Sequence, residues 1–452
     1  MKDIPPIIKA KIEEAQEKQL KELDLSYYGL TSLPESVCNL TNLNLLNLSE
    51  NELISLPESI SKLTNLTDLD LSNNKLTSLP ESISKLINLT DLGLWDNKLI
   101  FIPEWIHKLS NLAELDLSTN ELTSLPESIS KLTNLTHLDL DGNQITELPE
   151  SITNLTNLTH LDLGENQFRL LPESISKLTN LTYLNLGGNQ LTDLPEWIVK
   201  LTNLTELKLY SNQFTTLPEL LIKLTNLTDL YLGSNQLTNL PEWIVKLTNL
   251  TQLNLYGNQF TSLPDLIGNI TNLTWLCLRN NNLKELPESI GNLKNLSGLD
   301  LAENNLTELP GSLGNLTNLT SLNLEDNKLT SLPESIGNLK NLTSLDLRNN
   351  NFKNLPESIG NLTNLTELDF NSDRISAFPN SLGKLSNLTR INFVDIPEKY
   401  RGIPLNEWGA EMLIEEENAE FRRLVIQVIG YEKSGCCASE VSSELSSTKV
   451  KN

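Results

Sequence analysis

An asparagine recurs every 23 residues along most of this 452-residue chain, without one insertion or deletion. The series runs from Asn51 to Asn350, and each asparagine stands in the same frame of leucines and one proline, LxxLxLxxNxLxxLPxxIxxLxxL. Such a period is typical of a solenoid, because a single repeat cannot bury its own leucines and must stack on its neighbours. The period therefore predicts one elongated array and not several globular domains.

Residues around the LxL step of each repeat alternate between two environments. Leu69 and Leu71 are predicted to point to one side of a strand, while Asp70 points to the other. Strands that repeat in register must be parallel, so the rest of the repeat makes the crossover between them. The amide of each recurring asparagine is expected to donate to and accept from turn backbone in its own coil and the next.

A short turn follows the proline of each repeat, where the missing N–H group would be unpaired anyway. Eight repeats place a glutamate four residues before a lysine inside this turn, as in Glu58 and Lys62. On an α-helix this order favours an ion pair between the two side chains. The sequence therefore predicts such pairs within the turns.

The frame, which covers roughly Leu20 to Phe393, resembles that of leucine-rich repeat proteins. Its 23-residue period, Leu-Pro step and LTNL start are similar to the class found in Ras-suppressor and Scribble-type scaffolds and in the repeat domain of bacterial Roco proteins. The resemblance implies an α/β fold and a bacterial source. It implies a curved, horseshoe-shaped solenoid of about 16–17 coils with a parallel β-sheet on the concave face and short helical or 3₁₀ turns on the convex face. It also implies protein recognition on the inner face.

The two ends of the chain depart from the frame and are expected to cover the open ends of the array. The predicted segments are an N-terminal capping helix at 1–19 with Ile8, Ile12 and Ala15 on one side, the solenoid at 20–396, a C-terminal helical cap at 397–433, and a polar, serine-rich disordered tail at 434–452.

The formal charge of −24 argues against binding to nucleic acid or to an anionic membrane, and favours a protein partner with a basic segment. Four cysteines occur, and none forms the paired caps of secreted leucine-rich repeat proteins. The first twenty residues contain no long apolar run. These features predict a cytoplasmic protein, which we expect to be a monomer without a cofactor.

Acidic side chains dominate the inner-face positions that the frame leaves free in the early coils. Such a wall is expected to attract a basic segment and to steer its approach. The residues predicted to do so are Asp68, Asp70, Asp91, Asp96, Asp116 and Asp139, with Glu114, Asp141, Asp162 and Glu165 beside them.

Aromatic and basic side chains occupy the same positions in the middle coils. Tyrosine, tryptophan and arginine are frequent binding hot spots because they bury a large area with little loss of entropy. The alternative is that strand propensity alone favours tyrosine on a sheet face. The predicted partner-binding residues are Tyr183, Lys208, Tyr210, Tyr231, Tyr256, Trp275 and Arg279.

Two His-Leu-Asp steps lie 23 residues apart, which predicts that His137 lies beside His160 and Asp139 beside Asp162. Two imidazoles and two carboxylates could bind a transition metal. The alternative is two polar surface columns, because an open sheet offers no enclosing second layer of ligand-orienting groups.

Neither a nucleophile with its base nor a G-x-x-x-x-G-K-[ST] phosphate loop occurs in the sequence. The chain is therefore predicted to be a non-enzymatic interaction scaffold that binds its partner on the concave face. The alternative is a regulatory repeat fragment that acts in trans on a GTPase, as in a Roco-like system.

Overall fold

The computed structural model describes residues 5–371 and 379–394, and the chain divides into two compact units, Met1–Asn235 and Gln236–Asn452. The segments predicted as a C-terminal cap at 397–433 and a tail at 434–452 lie outside the described residues. None of the helices at 5–371 and 379–394 has the length and apolar character of a membrane-spanning segment.

The first unit begins with helix α1 and continues as ten short strands that alternate with 3₁₀ turns, labelled η. The helix is α1 (Pro6–Glu17), and the strands are β1 (Glu22–Asp24), β2 (Leu45–Asn47), β3 (Asp68–Asp70), β4 (Asp91–Gly93), β5 (Glu114–Asp116), β6 (His137–Asp139), β7 (His160–Asp162), β8 (Tyr183–Asn185), β9 (Glu206–Lys208) and β10 (Asp229–Tyr231). The turns are η1 (Val37–Asn39), η2 (Glu58–Lys62), η3 (Glu81–Lys85), η4 (Glu104–Lys108), η5 (Glu127–Lys131), η6 (Glu150–Asn154), η7 (Glu173–Lys177), η8 (Glu196–Lys200) and η9 (Glu219–Lys223).

The second unit repeats the same alternation. Its strands are β11 (Gln252–Asn254), β12 (Trp275–Cys277), β13 (Gly298–Asp300), β14 (Ser321–Asn323), β15 (Ser344–Asp346), β16 (Glu367–Asn371) and β17 (Arg390–Val394). Its turns are η10 (Glu242–Lys246), η11 (Asp265–Asn269), η12 (Glu288–Asn292), η13 (Gly311–Asn315), η14 (Glu334–Asn338), η15 (Glu357–Asn361) and η16 (Asn380–Lys384).

Within each unit every strand pairs in parallel with the next one along the chain, and the partners are 23 residues apart. Leu69 of β3 is opposite Leu92 of β4, and Asp68 is opposite Asp91. Leu69 is buried while Asp68 on its own strand is half-buried, so one side of each strand joins the leucine core and the other faces outward. The predicted fold class, parallel strands joined through short 3₁₀ turns, is confirmed.

Helix α1 lies at the start of the first unit and buries Ile8, Ile12 and Ala15, the three residues that the sequence placed on one side. The backbone N–H of Leu20 donates to Ala15 O, and Lys11 Nζ donates to Asp24 O of β1. These contacts hold the helix against the first coil.

The turns have three residues per turn, as shown by Ile83 N–H donating to Pro80 O and Leu86 N–H to Ile83 O. Residues four apart on a 3₁₀ helix do not share a face, so the predicted pairing within the turns is wrong. Lys62 Nζ instead donates to Asn39 Oδ1 of the preceding coil at 3.1 Å, and Lys108 Nζ lies 3.2 Å from Glu81 Oε1.

The recurring asparagines are buried and join neighbouring coils through their amides. Asn166 Nδ2 donates to Leu140 O and to Gly164 O, both at 2.8 Å, and its Oδ1 accepts from Ile145 N–H at 2.9 Å. The predicted role is confirmed with one correction, since the second coil that the side chain reaches is the preceding one and not the next. The amide suits this position because it has two N–H donors and a separate acceptor oxygen.

Replacing Asn166 by alanine should lower the free energy of unfolding by about 1–3 kcal/mol, because buried backbone groups lose their partners. Asn180→Ala is the matched control, since Asn180 is exposed and its Nδ2 also donates to a backbone oxygen, Thr156 O, at 2.8 Å. In that variant water can donate to Thr156 O in place of the amide. Urea unfolding of the full chain measures both, and equal losses would contradict a special role for the buried amide.

Candidate functional site

We call one surface of each unit the strand face. It consists of the outward-pointing side chains of the strands and of the two residues that follow the core leucine after each strand, such as Asp68, Asp70, Ser72 and Asn73 in the coil of β3. In the first unit, Asp68, Asp70, Asp91, Asp116 and Asp139 all lie on this face and are half-buried. Asp96 follows β4 with a positive φ of 51° and is also half-buried. The structure thus places the predicted acidic residues on one surface.

A shallow groove of about 390 Å³ runs over strands β2 to β5 of the first unit. Gly93 is one of the lining residues, and a Cβ atom on it would come within 2.9 Å of Asp70 Oδ1 and 3.0 Å of Ser72 Oγ, so these two side chains lie against the glycine. The carboxylates lining the groove belong to Asp68, Asp70, Asp91, Glu114 and Asp116.

Farther along the first unit, four acids form what we call the acid cluster, which is Asp139, Asp141, Asp162 and Glu165. Burial and, to a smaller extent, the charges of Asp162 and Asp116 together raise the pKa of Asp139 to about 7. Burial raises the pKa of Asp141 to about 6, helped by Asp162 and Glu165. Asp139 and Asp141 therefore bind protons near neutral pH, and an incoming cation would relieve the repulsion within the cluster. The sequence showed the acids, but it did not show their burial.

Three rings stack along the face beside this cluster. The ring centroids of His137 and His160 are 4.2 Å apart with 21° between the planes, and those of His160 and Tyr183 are 5.4 Å apart with 18°. Burial and the neighbouring His137 lower the pKa of His160. The sequence predicted the two histidines side by side, and their strands confirm this register.

The metal hypothesis for His137, Asp139, His160 and Asp162 finds no support in this arrangement. The imidazoles stack, and their Nδ1 atoms lie 2.9 and 3.1 Å from the hydroxyls of the preceding threonines. Asp139 and Asp162 are opposite each other in a separate column of the sheet. In the part of the chain that the structure describes, no three or more His, Cys, Asp or Glu residues are grouped to hold a metal ion.

Tyr183 and Lys208, predicted as partner-binding residues, already contact groups of this chain. Tyr183 Oη donates to Asp162 Oδ2 at 2.9 Å, and Asn185 Nδ2 donates to the same oxygen at 3.0 Å. Lys208 Nζ donates to Tyr183 Oη at 3.1 Å and lies 3.2 Å from Glu206 Oε1. Burial and Asp162 raise the pKa of Tyr183. These two side chains therefore position Asp162 and the stacked rings.

Tyr210 lies against the acid cluster because a neighbouring coil has glycine at the equivalent position. A Cβ atom on Gly187 would come within 2.5 Å of Cε1 and Cζ of the tyrosine ring, so the ring occupies the place of a side chain. Burial raises the pKa of Tyr210, whose side chain also hydrogen-bonds Asn185. Tyr231 lies beside Lys208 in the sheet and is half-buried. The glycine is the sequence signal that could have located the ring.

Tyr256, Trp275 and Arg279 belong to the second unit. Tyr256 is 38% exposed and Trp275 is 40% exposed, which makes both accessible on the strand face of that unit. Arg279 forms an ion pair with Glu303, so its guanidinium already has an internal partner. The predicted aromatic residues are thus divided between the units.

Family models for a leucine-rich repeat region match residues 15–117, 80–164, 137–230, 265–327 and 311–404, and a second leucine rich repeat model matches 202–260. No curated protein matches the sequence. The finer resemblance to Ras-suppressor, Scribble-type and Roco proteins stays a prediction.

Solved structures give the same family. A leucine-rich repeat protein of Leptospira interrogans is 39% identical with a TM-score of 0.78, and the match covers 84% of this chain and 98% of that one. YopM of Yersinia enterocolitica is 29% identical with a TM-score of 0.57, over 85% of this chain and 80% of that one. The plant peptide hormone receptor RGFR1, in complex with RGF2, is 30% identical with a TM-score of 0.61, over 83% and 66%.

Leucine-rich repeat proteins generally mediate protein–protein interactions, and their fold is typical of non-enzymatic scaffolds. The family models match most of the sequence, and the Leptospira protein matches over nearly its whole length. The chain therefore belongs to the leucine-rich repeat family.

Proposed function

We propose that this protein is a non-enzymatic recognition scaffold that binds a basic segment of a partner protein on the strand face of its first unit. The observation that carries the proposal is the acid cluster beside the ring of Tyr210. A plant relative was solved in complex with RGF2, which supports binding of a polypeptide segment by this family.

The electrostatics of the cluster favour a cationic partner group. Asp139 and Asp141 are partly withdrawn from water beside Asp162 and Glu165, and the pKa of both is raised. A lysine or arginine side chain would interact with several carboxylates at once in surroundings less polar than water. The formal charge of −24 over the whole chain would also accelerate encounter with a basic partner.

Aromatic side chains next to the cluster supply apolar contact area. The rings of Tyr210 and Tyr231 are half-buried, so part of each ring is open to a partner on the strand face. Their orientation is set in advance, by Gly187 for the first and by Lys208, whose Nζ lies 5.6 Å from the ring centroid, for the second. Preorganised aromatic groups lose little entropy on binding.

The protein is further proposed to act as a monomer in a reducing compartment such as the cytoplasm. Cys38 and Cys277 support this because both are free, buried thiols, and burial raises the pKa of each. Regulation of a GTPase in trans stays the alternative prediction. A pull-down in which the immobilised chain retains a nucleotide-binding protein would favour it.

Removal of two cluster charges in Asp139→Asn with Asp162→Asn should weaken binding of a hexalysine peptide about threefold to tenfold at pH 8 and low salt, since two partly buried charge interactions are lost. Glu58→Gln with Glu150→Gln is the control, because it removes two exposed acids of 3₁₀ turns in the same unit. Isothermal titration calorimetry measures both affinities. Similar weakening by the control would show that only net charge matters and would contradict a site.

The pH should act on binding and on stability in opposite directions. Deprotonation of Asp141 near pH 6 and of Asp139 near pH 7 adds negative charge to the cluster, while lysine stays charged up to about pH 10. Hexalysine affinity should therefore rise between pH 5.5 and 8.

Stability follows the reverse trend, because both folded-state pKa values lie above the ordinary value of 3.8. Between pH 4 and 7 the folded chain keeps protons that the unfolded chain has released, so the contribution of these groups, complete below pH 4, is lost as the pH rises. Urea unfolding of wild type and of Asp139→Asn with Asp141→Asn should show a difference that grows in favour of the variant up to pH 8. A pH-independent difference would contradict the raised pKa values.

A further inference from the structure

The indole of Trp275, in the second unit, packs over a glycine of the neighbouring strand. Trp275 begins strand β12, and in the sheet it is opposite Gly298 of β13. A Cβ atom on Gly298 would overlap Cε3 and Cζ3 of the indole, so the ring covers this glycine and could not lie there over any larger residue. The indole is nevertheless 40% exposed. It is therefore an aromatic surface held by the sheet and open to solvent.

Small side chains and a carboxylate lie on the same face as this indole. The column that continues from Gly298 holds Ser321 and Ser344, which leave room beyond the indole. Asp300 lies two residues after Gly298 on the same side of the strand. Its Oδ1 accepts the N–H of Ala302 at 3.1 Å, and burial raises the pKa of its carboxyl group. The carboxylate of Asp300 therefore lies on the same face as the indole, in the neighbouring column of side chains.

The first unit shows how this strand face pairs a cation with an aromatic ring. Lys208 Nζ lies 4.8 Å from the ring centroid of Tyr183, where it also donates to the tyrosine hydroxyl. Among the residues that the structure describes, no cation lies over the ring of Trp275 in this way. Arg279, which follows Trp275 on the same coil, is instead paired with Glu303, and its charge also acts to lower the pKa of Asp300.

We propose that Trp275 and Asp300 form a subsite for one arginine side chain of a partner protein. The guanidinium would stack on the indole, and its N–H groups would donate to the carboxylate of Asp300. Acidic residues outnumber basic ones on the strand face of this unit, so a cationic occupant is favoured over an apolar one such as a proline ring.

Arginine is favoured over lysine at this subsite because its guanidinium is planar, weakly hydrated and able to donate two parallel hydrogen bonds while it stacks. The proposal rests on the proposed function in one respect, namely that the partner carries basic residues. It differs in its location, in the second unit, and in its demand for one residue type.

The test compares hexaarginine and hexalysine peptides by isothermal titration calorimetry with the full chain. Wild type should bind hexaarginine about fivefold or more tightly than hexalysine. Trp275→Ala should bring this ratio close to one. Trp95→Ala is the matched control, because Trp95 is also 40% exposed on a strand face but in the first unit, and it should leave the ratio unchanged.

Two further variants test the geometry while keeping the indole. Gly298→Ala adds a Cβ atom that displaces the ring, and Asp300→Asn removes the charge, so both should reduce the arginine preference. Thermal unfolding of each variant checks that the coil remains folded. A variant that unfolds is replaced in the comparison by Trp275→Phe, which should retain part of the preference.

The outcomes separate this inference from the proposed function. An equal affinity for both peptides in wild type, or an unchanged ratio in Trp275→Ala, overturns the arginine subsite. Asp139→Asn with Asp162→Asn should weaken both peptides alike and leave the ratio unchanged. A chain in which that double variant has no effect while Trp275→Ala removes the preference would retain the subsite and refute the acid cluster as the binding site.

Discussion

A buried amide hydrogen-bonded to two coils is the interaction on which the rest of the structure depends. Asn166 donates to backbone of its own and the preceding coil and accepts from Ile145 N–H, and the same arrangement recurs along each unit. Because an unpaired buried backbone group costs about 1–3 kcal/mol, a shifted coil would lose these bonds as well as its leucine contacts. This constraint keeps the period at 23 residues and holds the strands in register.

Strict register has a functional consequence, since it places side chains of equivalent positions next to one another along the strand face. Whether two neighbours repel, stack or cover one another then depends only on their identities. Asp139 and Asp162 repel, which helps to raise the pKa of Asp139, whereas His137 and His160 stack. A glycine in a neighbouring coil gives an aromatic ring a place to lie, as Gly187 does for Tyr210.

Most of the fold could be predicted because it depends on periodicity alone, including the parallel strands, the buried asparagines and the pairing of His137 with His160. For the candidate site, the sequence predicted which side chains lie on the strand face, but not which of them contact one another. Tyr183 was predicted to bind a partner, but its hydroxyl donates to Asp162 of the same chain. The direction in which a side chain lies along the sheet depends on its neighbours in adjacent coils, so the repeat position alone does not predict it. The predicted ion pairs inside the turns are wrong for a geometric reason. With three residues per turn, a 3₁₀ helix places Glu58 and Lys62 on different faces.

Site-specific photocrosslinking in the native host tests most directly whether recognition uses the strand face of the first unit. A benzophenone amino acid would replace Tyr210 on that face in one strain, and in another Lys223, an exposed residue of the 3₁₀ turn in the same coil. The proposed function predicts a discrete protein adduct from position 210, identifiable by mass spectrometry, and little or none from position 223. An adduct from position 223 alone would contradict it.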